Sequence, residues 1–403
     1  MNVLFLSIAL RKSGAPSMYE SLMQEFIKNN HKVYIATAVE KHTDKSTNIS
    51  DYHRMNFLEI ATGNITGNVG LIEKGIATLS VDYLFKRAIS KCYSNVHFDL
   101  IIYPTPPITL VNTISWVKKR DHARTYLLLK DIFPQNAVDL GMLTKSGVKG
   151  VIYKYFRAKE TKLYAVSDYI GCMSEANVRY VLDHNPEIPS TKVEVCPNCI
   201  EPVDMSVDSD TRVAIREKYD IPLDKKVFVY GGNLGKPQGI PFVIECLRKC
   251  QDIEDAYFLI VGDGTEYHLL SEFVEAEKPT NVRLMKRLPK EDYDSMVGAC
   301  DVGLIFLDHR FTIPNFPSRL LSYMQAKLPV LACTDPNTDI GEVIVNDGFG
   351  WWCESNDADR FVAKLNDALE SKLAELGSNG FDYMKEHYDI KNSAQSILKH
   401  ADR

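Results

Sequence analysis

Arg319 stands where a cation is electrostatically out of place. The stretch 311–332, FTIPNFPSRLLSYMQAKLPVLA, begins as a loop with Pro314, Asn315 and Pro317 and reaches Ser318, a residue type suited to capping a helix. Leu320, Leu321 and Met324 have the apolar spacing of a short helix. Lys327, Leu328 and Pro329 end it, and Val330, Leu331 and Ala332 read as a buried parallel strand. A helix N-terminus leaves N–H groups free and points its dipole at a ligand, so it can hold an anion. Arg319 falls in that first turn, where the dipole opposes it unless an anion is bound alongside. The plainer reading is a surface arginine on an ordinary loop–helix–strand unit.

Other residues of chemical interest sit at the ends of predicted strands. Lys130 and Asp131 close the strand 125–130, TYLLLK, and the carboxyl ends of parallel strands are where such sheets bind ligands. A solvated charge pair is the alternative. Gly14 follows the first strand and would let the backbone approach a ligand, though a tight turn explains it equally well. Gly231-Gly-Asn-Leu-Gly235 and Gly262-Asp-Gly264 follow two further strands. Cys196-Pro-Asn-Cys199 has the spacing of a zinc ligand pair, and Cys246 and Cys250 lie four apart on a helix. No histidine is near, and small buried side chains account for both pairs.

The elements that must position these groups alternate strand and helix. Residues 2–7, 18–29 and 31–37 read as strand, helix and strand, a βαβ unit. The segment 41–75 is polar and reads as a variable loop. Helices are predicted over 76–94 and 110–119, and strands over 98–103, 169–173 and 193–196. Residues 197–209, PNCIEPVDMSVDS, have the Pro and Asp density of a linker. Beyond it the pattern restarts, with strands near 227–230, 257–261, 282–284, 302–306 and 330–332. The fold class expected is α/β, with two doubly wound Rossmann-like domains facing across a cleft: 1–200, 201–385, and a C-terminal helix in 386–403 that returns to the first domain.

The basic segment 147–163 stands apart. Lys145, Lys149, Lys154, Arg157, Lys159 and Lys162 oppose one acid, Glu160, while Val148, Ile152, Tyr155 and Leu163 could form an apolar stripe. Such a helix can lie on an anionic membrane, or turn its stripe to the core and its charges to water.

Composition excludes several classes. Across 403 residues, 45% are apolar and 25% charged, with a net charge of −6, so bulk attraction to nucleic acid is not expected. No run is apolar enough over some 18 residues to cross a membrane. The apolar run 3–10 has no basic residues before it and reads as a first strand, not a signal peptide. Nine cysteines, an odd number without a secretion signal, fit a reducing cytoplasm.

In order and spacing, these motifs resemble family 4 of the nucleotide-sugar-dependent glycosyltransferases, of the two-Rossmann-domain GT-B fold. The branch resembled builds bacterial surface polysaccharides such as capsule or O-antigen, and includes aminosugar transferases of the fucosamine-transferase type. The resemblance rests on KDIFPQNAVDLG (130–141), MSE (173–175), CPN (196–198), GGNLGKPQG (231–239), IVGDG (260–264), NVRLMKRLP (281–289), ACDVGLIFL (299–307) and FPSRLLSYMQAKLPVLA (316–332). It implies transfer from a nucleoside diphosphate sugar, of UDP-N-acetylhexosamine type, to a lipid-linked saccharide acceptor. Anomeric configuration is retained, and neither a metal nor a further cofactor is implied. It places the diphosphate on the glycine loops at Gly14 and Gly232, with Asn233 and Gln238 where many members carry Arg and Lys. Lys236 lies between them and joins Arg319 in stabilising the departing diphosphate. Gly262 also borders the donor, the base lies near Arg287 and Leu288, and the ribose near Ser322 beside Ser318. The paired glutamates of the family fall at Pro314 and Ser322. Lys130 stands where many relatives have histidine, with Asp131 as a positioning or catalytic candidate. Lys236 and Arg319 are thus expected to converge on one anion, facing Gly14 and Lys130 across the cleft. The protein would work in the cytoplasm, peripherally on the inner face of the membrane through 147–163.

Two other readings stand beside this one. A nucleotide-sugar 2-epimerase has the same architecture but needs an acidic and histidine cluster that the C-domain loops lack. A non-catalytic partner subunit would fit the missing glutamates.

Overall fold

The computed structural model describes residues 1–10, 12, 17–43, 46–65 and 70–401. The expected site residue Gly14 lies outside them. The chain divides into two compact units, Met1–Glu201 with Ile390–Arg403, and Pro202–Asp389.

The first unit runs β1 (Asn2–Ser7), α1 (Met18–Lys28), β2 (Lys32–Glu40), β3 (Asn48–Tyr52), β4 (Met55–Thr62), α2 (Leu71–Cys92), β5 (Leu100–Pro104), α3 (Val111–Asp121), β6 (Arg124–Leu129), α4 (Gln135–Asp139), α5 (Gly147–Val166), β7 (Tyr169–Cys172), α6 (Glu175–His184) and β8 (Val193–Val195). Among the described residues its sheet has the order β3-β4-β2-β1-β5-β6-β7-β8, parallel except where β3 meets β4. The described part of the segment 41–75, expected as a loop, therefore holds β3, β4 and the start of α2. β4 pairs with β2, with Tyr34 opposite Asn56 and Glu40 opposite Thr62. Met55, Phe57, Leu58 and Ile60 are its buried signal. β3 is a polar edge strand with no apolar run, and it masked that signal.

α1 is capped by Ser17, whose Oγ accepts from Glu20 N at 3.2 Å, and it buries Leu22, Met23, Phe26 and Ile27. The second unit runs α7 (Ser209–Lys218), β9 (Lys226–Asn233), α8 (Ile240–Lys249), β10 (Ala256–Asp263), α9 (Tyr267–Glu277), β11 (Val282–Met285), α10 (Lys290–Gly298), β12 (Val302–Phe306), α11 (Arg319–Gln325), β13 (Val330–Thr334), α12 (Ile340–Asn346), β14 (Gly350–Glu354), α13 (Ala358–Glu370) and α14 (Leu373–His387). Its sheet, β11-β10-β9-β12-β13-β14, is parallel. The chain then returns to the first unit as α15 (Ile390–Leu398). There Ile390, Ala394 and Ile397 join Leu22 and Phe26 in one core.

One buried acid follows β13. Asp335 is fully buried; its Oδ1 accepts from the N–H groups of Asn337 (2.9 Å) and Thr338 (3.1 Å), while Oδ2 has no partner among the described residues. Burial outweighs those N–H groups and raises its pKa from 3.8 to about 6. The unfolded chain releases this proton near 3.8, the folded chain only near 6. Stability is therefore lost as pH rises through that interval. We predict that Asp335→Asn, which keeps an accepting oxygen, is more stable than wild type above about pH 6 and loses that advantage toward pH 4. Thermal melts of both proteins at the two pH values check this, and a pH-independent difference would refute it.

Candidate active site

In the second unit, the carboxyl ends of β9 and β10 border a cavity of about 490 Å³. It lies beside the place where the strand order reverses between β9 and β12. Gly231, Gly232 and Asn233 come from β9, Gly262 and Asp263 from β10, and Arg287 and Leu288 from the loop after β11. α10 brings Lys290 and Tyr293, and α11 brings Arg319. Gly232 has φ +126°, and a Cβ on it would lie 3.6 Å from Arg319 Nη2. A Cβ on Gly231 would lie 1.8 Å from Tyr293 Oη. The glycines thus let the backbone, the phenol and the guanidinium approach one another.

Arg319 lies with its guanidinium carbon 4.2 Å from the ring centroid of Tyr230. Its Nη1 is shielded from water and has no hydrogen-bond partner among the described residues, and no carboxylate there pairs with it. Burial works to lower its pKa, but the phenols of Tyr230 and Tyr323 outweigh that and hold the group above its ordinary value. A fully buried arginine of the same unit differs. Arg216 donates to the carbonyls of Ala299 (2.9 Å), Pro222 (2.9 Å) and Lys225 (3.0 Å) and to Asp301 Oδ2 (2.6 Å). Arg216 spends its donors on the fold; Arg319 keeps one in reserve. With Arg287 and Lys290 against the single acid Asp263, the cavity lining is net positive.

One helical turn after Arg319, Tyr323 fixes α11 to the sheet. Its hydroxyl lies 3.0 Å from Leu304 O and 3.2 Å from Val229 O, and accepts from Gly231 N at 3.4 Å. Sequence reading passed over Tyr230, Tyr293, Tyr323 and Lys290. The available signal was the i, i+4 spacing of Arg319 and Tyr323.

Of the expected donor residues, Gly232, Asn233, Gly262, Arg287, Leu288 and Arg319 line the cavity. Gln238 is buried beneath it: its Oε1 accepts from Asn233 Nδ2 at 2.7 Å and from Gly235 N at 3.2 Å, bracing the glycine loop. Lys236 is exposed, and neither it, Ser318 nor Ser322 is among the lining residues. Ser318 does not cap α11. It is already in a helical conformation (φ −64°, ψ −17°), and its side chain makes no cap bond. The N–H groups of Leu320 and Leu321 go to the carbonyls of Pro317 (3.3 Å) and Ser318 (3.1 Å), so they are not left free for an anion. The cavity's cationic character rests on side chains.

In the first unit, Lys130 and Asp131 follow β6. Both backbone N–H groups donate to Thr105 Oγ1, at 3.0 and 3.3 Å, and Lys130 Nζ donates to Cys196 O at 3.1 Å. They are not a solvated pair: burial lowers the pKa of Lys130 and raises that of Asp131. Each is pushed toward its neutral form, the condition under which such groups exchange protons. Cys196, Cys199, Cys246 and Cys250 are buried and outside any disulfide, and among the described residues no group of three or more His, Cys, Asp or Glu is placed to hold a metal ion.

Comparison with known proteins bears on the family and the fold. Residues 211–382, within the second unit, match the family described as Glycosyl transferases group 1. The chain is 24% identical over 328 residues to a protein named as a glycosyltransferase, WbjE of Pseudomonas aeruginosa, covering 79% of this chain and 77% of that one. It is 24% identical over 276 residues to WcaI of Escherichia coli K12, named for glycosyl transfer in colanic acid biosynthesis, covering 67% and 66%. Among solved structures, the trehalose-6-phosphate protein of E. coli bound with UDP-2-fluoro glucose superposes with a TM-score of 0.74 at 12% identity, covering 100% and 99%. The fold is GT-B, two Rossmann-like α/β units, and the second is the one that matches the group 1 glycosyltransferase family, over residues 211–382.

The contrast between the two arginines is testable by stability alone. Arg216→Leu strips three backbone carbonyls and Asp301 Oδ2 of their buried donor, leaving the acid its half-exposed partner Arg212, and is expected to cost about 3–5 kcal/mol. Arg319→Leu removes a desolvated cation that no carboxylate meets, losing only the ring contact, and is expected to fall within about 1 kcal/mol of wild type or above it. Denaturant titration of both variants measures this. Equal, large losses would mean that Arg319 is a structural residue.

Proposed function

We propose that the protein transfers a glycosyl group from a UDP-linked sugar, of N-acetylhexosamine type, to a lipid-linked saccharide in bacterial polysaccharide biosynthesis, with retention of anomeric configuration. The observation that carries this reading is the guanidinium of Arg319, held on Tyr230 beside Gly232 with Nη1 unspent. A diphosphate in the cavity supplies the anion that this guanidinium lacks, and charge-assisted contacts of this kind are strong. The UDP-sugar bound by the E. coli structural relative, and the polysaccharide for which WcaI is named, support the choice of donor and pathway class.

In this reading the base lies by Arg287 and Leu288, and the diphosphate lies over Gly231–Asn233 against Arg319. As the glycosidic bond breaks, negative charge grows on the leaving phosphate, and a preorganised guanidinium stabilises it most at that moment. The work a divalent cation would do is assigned to Arg319, to backbone N–H groups and to Lys236, which could swing in from the exposed turn. The leaving phosphate helps take the acceptor's proton.

The first unit offers a surface for the lipid. On α5, Val148 is 86% exposed, and Val151, Ile152 and Tyr155 are exposed beside it; on α2, Ile76, Leu79 and Tyr83 are exposed at helical spacing. These are large apolar side chains in water, flanked by Lys145, Lys149, Lys154 and Lys159. α3 packs against both helices. The stripe expected over 147–163 thus faces outward through residue 155, and only Leu163 turns to the core. Among the described residues no helix is long and apolar enough to cross a membrane, so attachment would be peripheral.

Two measurements test this reading. Incubation with a panel of UDP-, GDP- and ADP-sugars should give slow hydrolysis or transfer with UDP-sugars. Arg319→Ala should depress that turnover by about 10²-fold, the loss of roughly 2–4 kcal/mol expected for one transition-state donor. Unchanged turnover would refute the role of Arg319. Co-sedimentation with phosphatidylglycerol vesicles should fall with salt and with Val148→Asp, each lysine near the surface contributing about 1 kcal/mol. Binding indifferent to anionic lipid would remove the membrane from the proposal.

A further inference from the structure

A second cavity, of about 220 Å³, lies wholly within the first unit, bounded by α4, α5 and α6. Glu160, 4% exposed, is its most buried charge. Glu160 Oε2 accepts from Arg157 Nη1 at 2.6 Å, and Oε1 accepts from Tyr164 Oη at 2.8 Å. Arg157 Nη2 reaches over to α6, donating to Asn185 Oδ1 at 2.6 Å and His184 O at 3.2 Å. The ring of Tyr180 stacks on His184, centroids 3.9 Å apart and planes within 16°. Lys145 stands exposed at the lining, its Nζ 5.8 Å from the centre of the Tyr153 ring, with no ion pair among the described residues.

Holding a buried ion pair here costs desolvation that an apolar filling would avoid, so stability alone does not explain an open polar pocket. The chemistry of the lining suits a particular class of ligand. A carboxylate accepting one hydrogen bond on each oxygen retains lone pairs for hydroxyl groups. The phenol rings of Tyr153 and Tyr180 offer flat apolar faces with polar tips, suited to the C–H face of a pyranose. Arg157 and Glu160 cancel, which leaves Lys145 as the uncompensated charge and asks for an anionic substituent.

We propose that this cavity binds a hexose phosphate, with the pyranose ring against Tyr180 and Tyr153 and the phosphate on Lys145. Its identity as the sugar phosphate end of the lipid-linked acceptor rests on the functional reading above. α5 supports that identity through its two stripes. Tyr153, Arg157, Glu160 and Tyr164 recur at helical spacing and line the cavity, while Val148, Val151, Ile152 and Tyr155 form the exposed apolar stripe. A sugar phosphate displayed by a lipid would thus find the pocket and the lipid contact on one helix.

The test is calorimetry on the full chain with glucose 1-phosphate, methyl glucoside and inorganic phosphate as probes. Glucose 1-phosphate should bind at least about tenfold more tightly than either fragment, and Lys145→Ala and Tyr180→Ala should each weaken it about tenfold. Lys145 is exposed, so its variant leaves the fold intact, and UDP binding should not change. Inorganic phosphate binding as tightly as glucose 1-phosphate would overturn the proposal, leaving an anion site only. So would glucose 1-phosphate binding that Arg319→Leu abolishes and Lys145→Ala does not, which would put it in the donor cavity. No binding of any probe, in a protein that binds UDP through Arg319, sinks this inference and leaves the functional reading standing. Binding at Lys145 in a protein that ignores UDP sustains the hexose phosphate site and removes its assignment to an acceptor.

Discussion

A guanidinium laid against an aromatic face, half-buried and without a carboxylate, is the constraint around which the second unit is arranged. To reach that place Arg319 needs bare backbone at Gly231 and Gly232 and a flat ring at Tyr230. It also needs α11 fixed to the sheet, which Tyr323 does by bonding to backbone groups of both β9 and β12. None of these serves stability first. The unspent N–H is a cost in the empty protein, and the bare backbone at Gly231 and Gly232 leaves no room or no unstrained backbone for any other residue. They are consistent with a site that is completed by an anion.

The amino-acid sequence made the alternation of strand and helix legible because parallel strands buried on both faces are short apolar runs, and several here run into Gly, Pro or Asn, as at Pro104, Gly231 and Gly262. It also picked out Arg319, through the misfit between a cation and a helix start. The reason for the misfit was read differently from what the structure shows. The first N–H groups of α11 are consumed by Pro317 and Ser318, and it is the π-face of Tyr230, not an N-terminal dipole site, that holds the guanidinium. Gln238 was read as a ligand contact, yet its oxygen braces Asn233 and Gly235. The bonds of Tyr323 to Gly231, Val229 and Leu304 cross 92, 94 and 19 residues and leave no local pattern, so its spacing from Arg319 could be read but its anchoring of α11 could not.

α5 illustrates the same limit. Its basic residues were legible as a group, but Arg157 is not part of the surface charge: it turns inward to Glu160 and ties α5 to α6. A helix that reads as one amphipathic surface is in fact two, an outward apolar stripe with lysines and an inward polar stripe around a cavity. Glu160, the single acid among the bases, was the sequence's clue, since an acid retained there has a partner to meet.

The return of α15 to the first unit has a consequence for how the protein is made. Ile390 N donates to Ile200 O at 3.1 Å, so the chain leaves the first unit and re-enters it at neighbouring points. The second unit is therefore an insertion with closely spaced ends. During synthesis its whole core exists before α15 has been made, and it can fold as a unit on the ribosome. The first unit must wait with Leu22 and Phe26 uncovered until Ile390, Ala394 and Ile397 arrive. The half that begins first is completed last, and in the interval its exposed apolar groove is what a chaperone would find to hold.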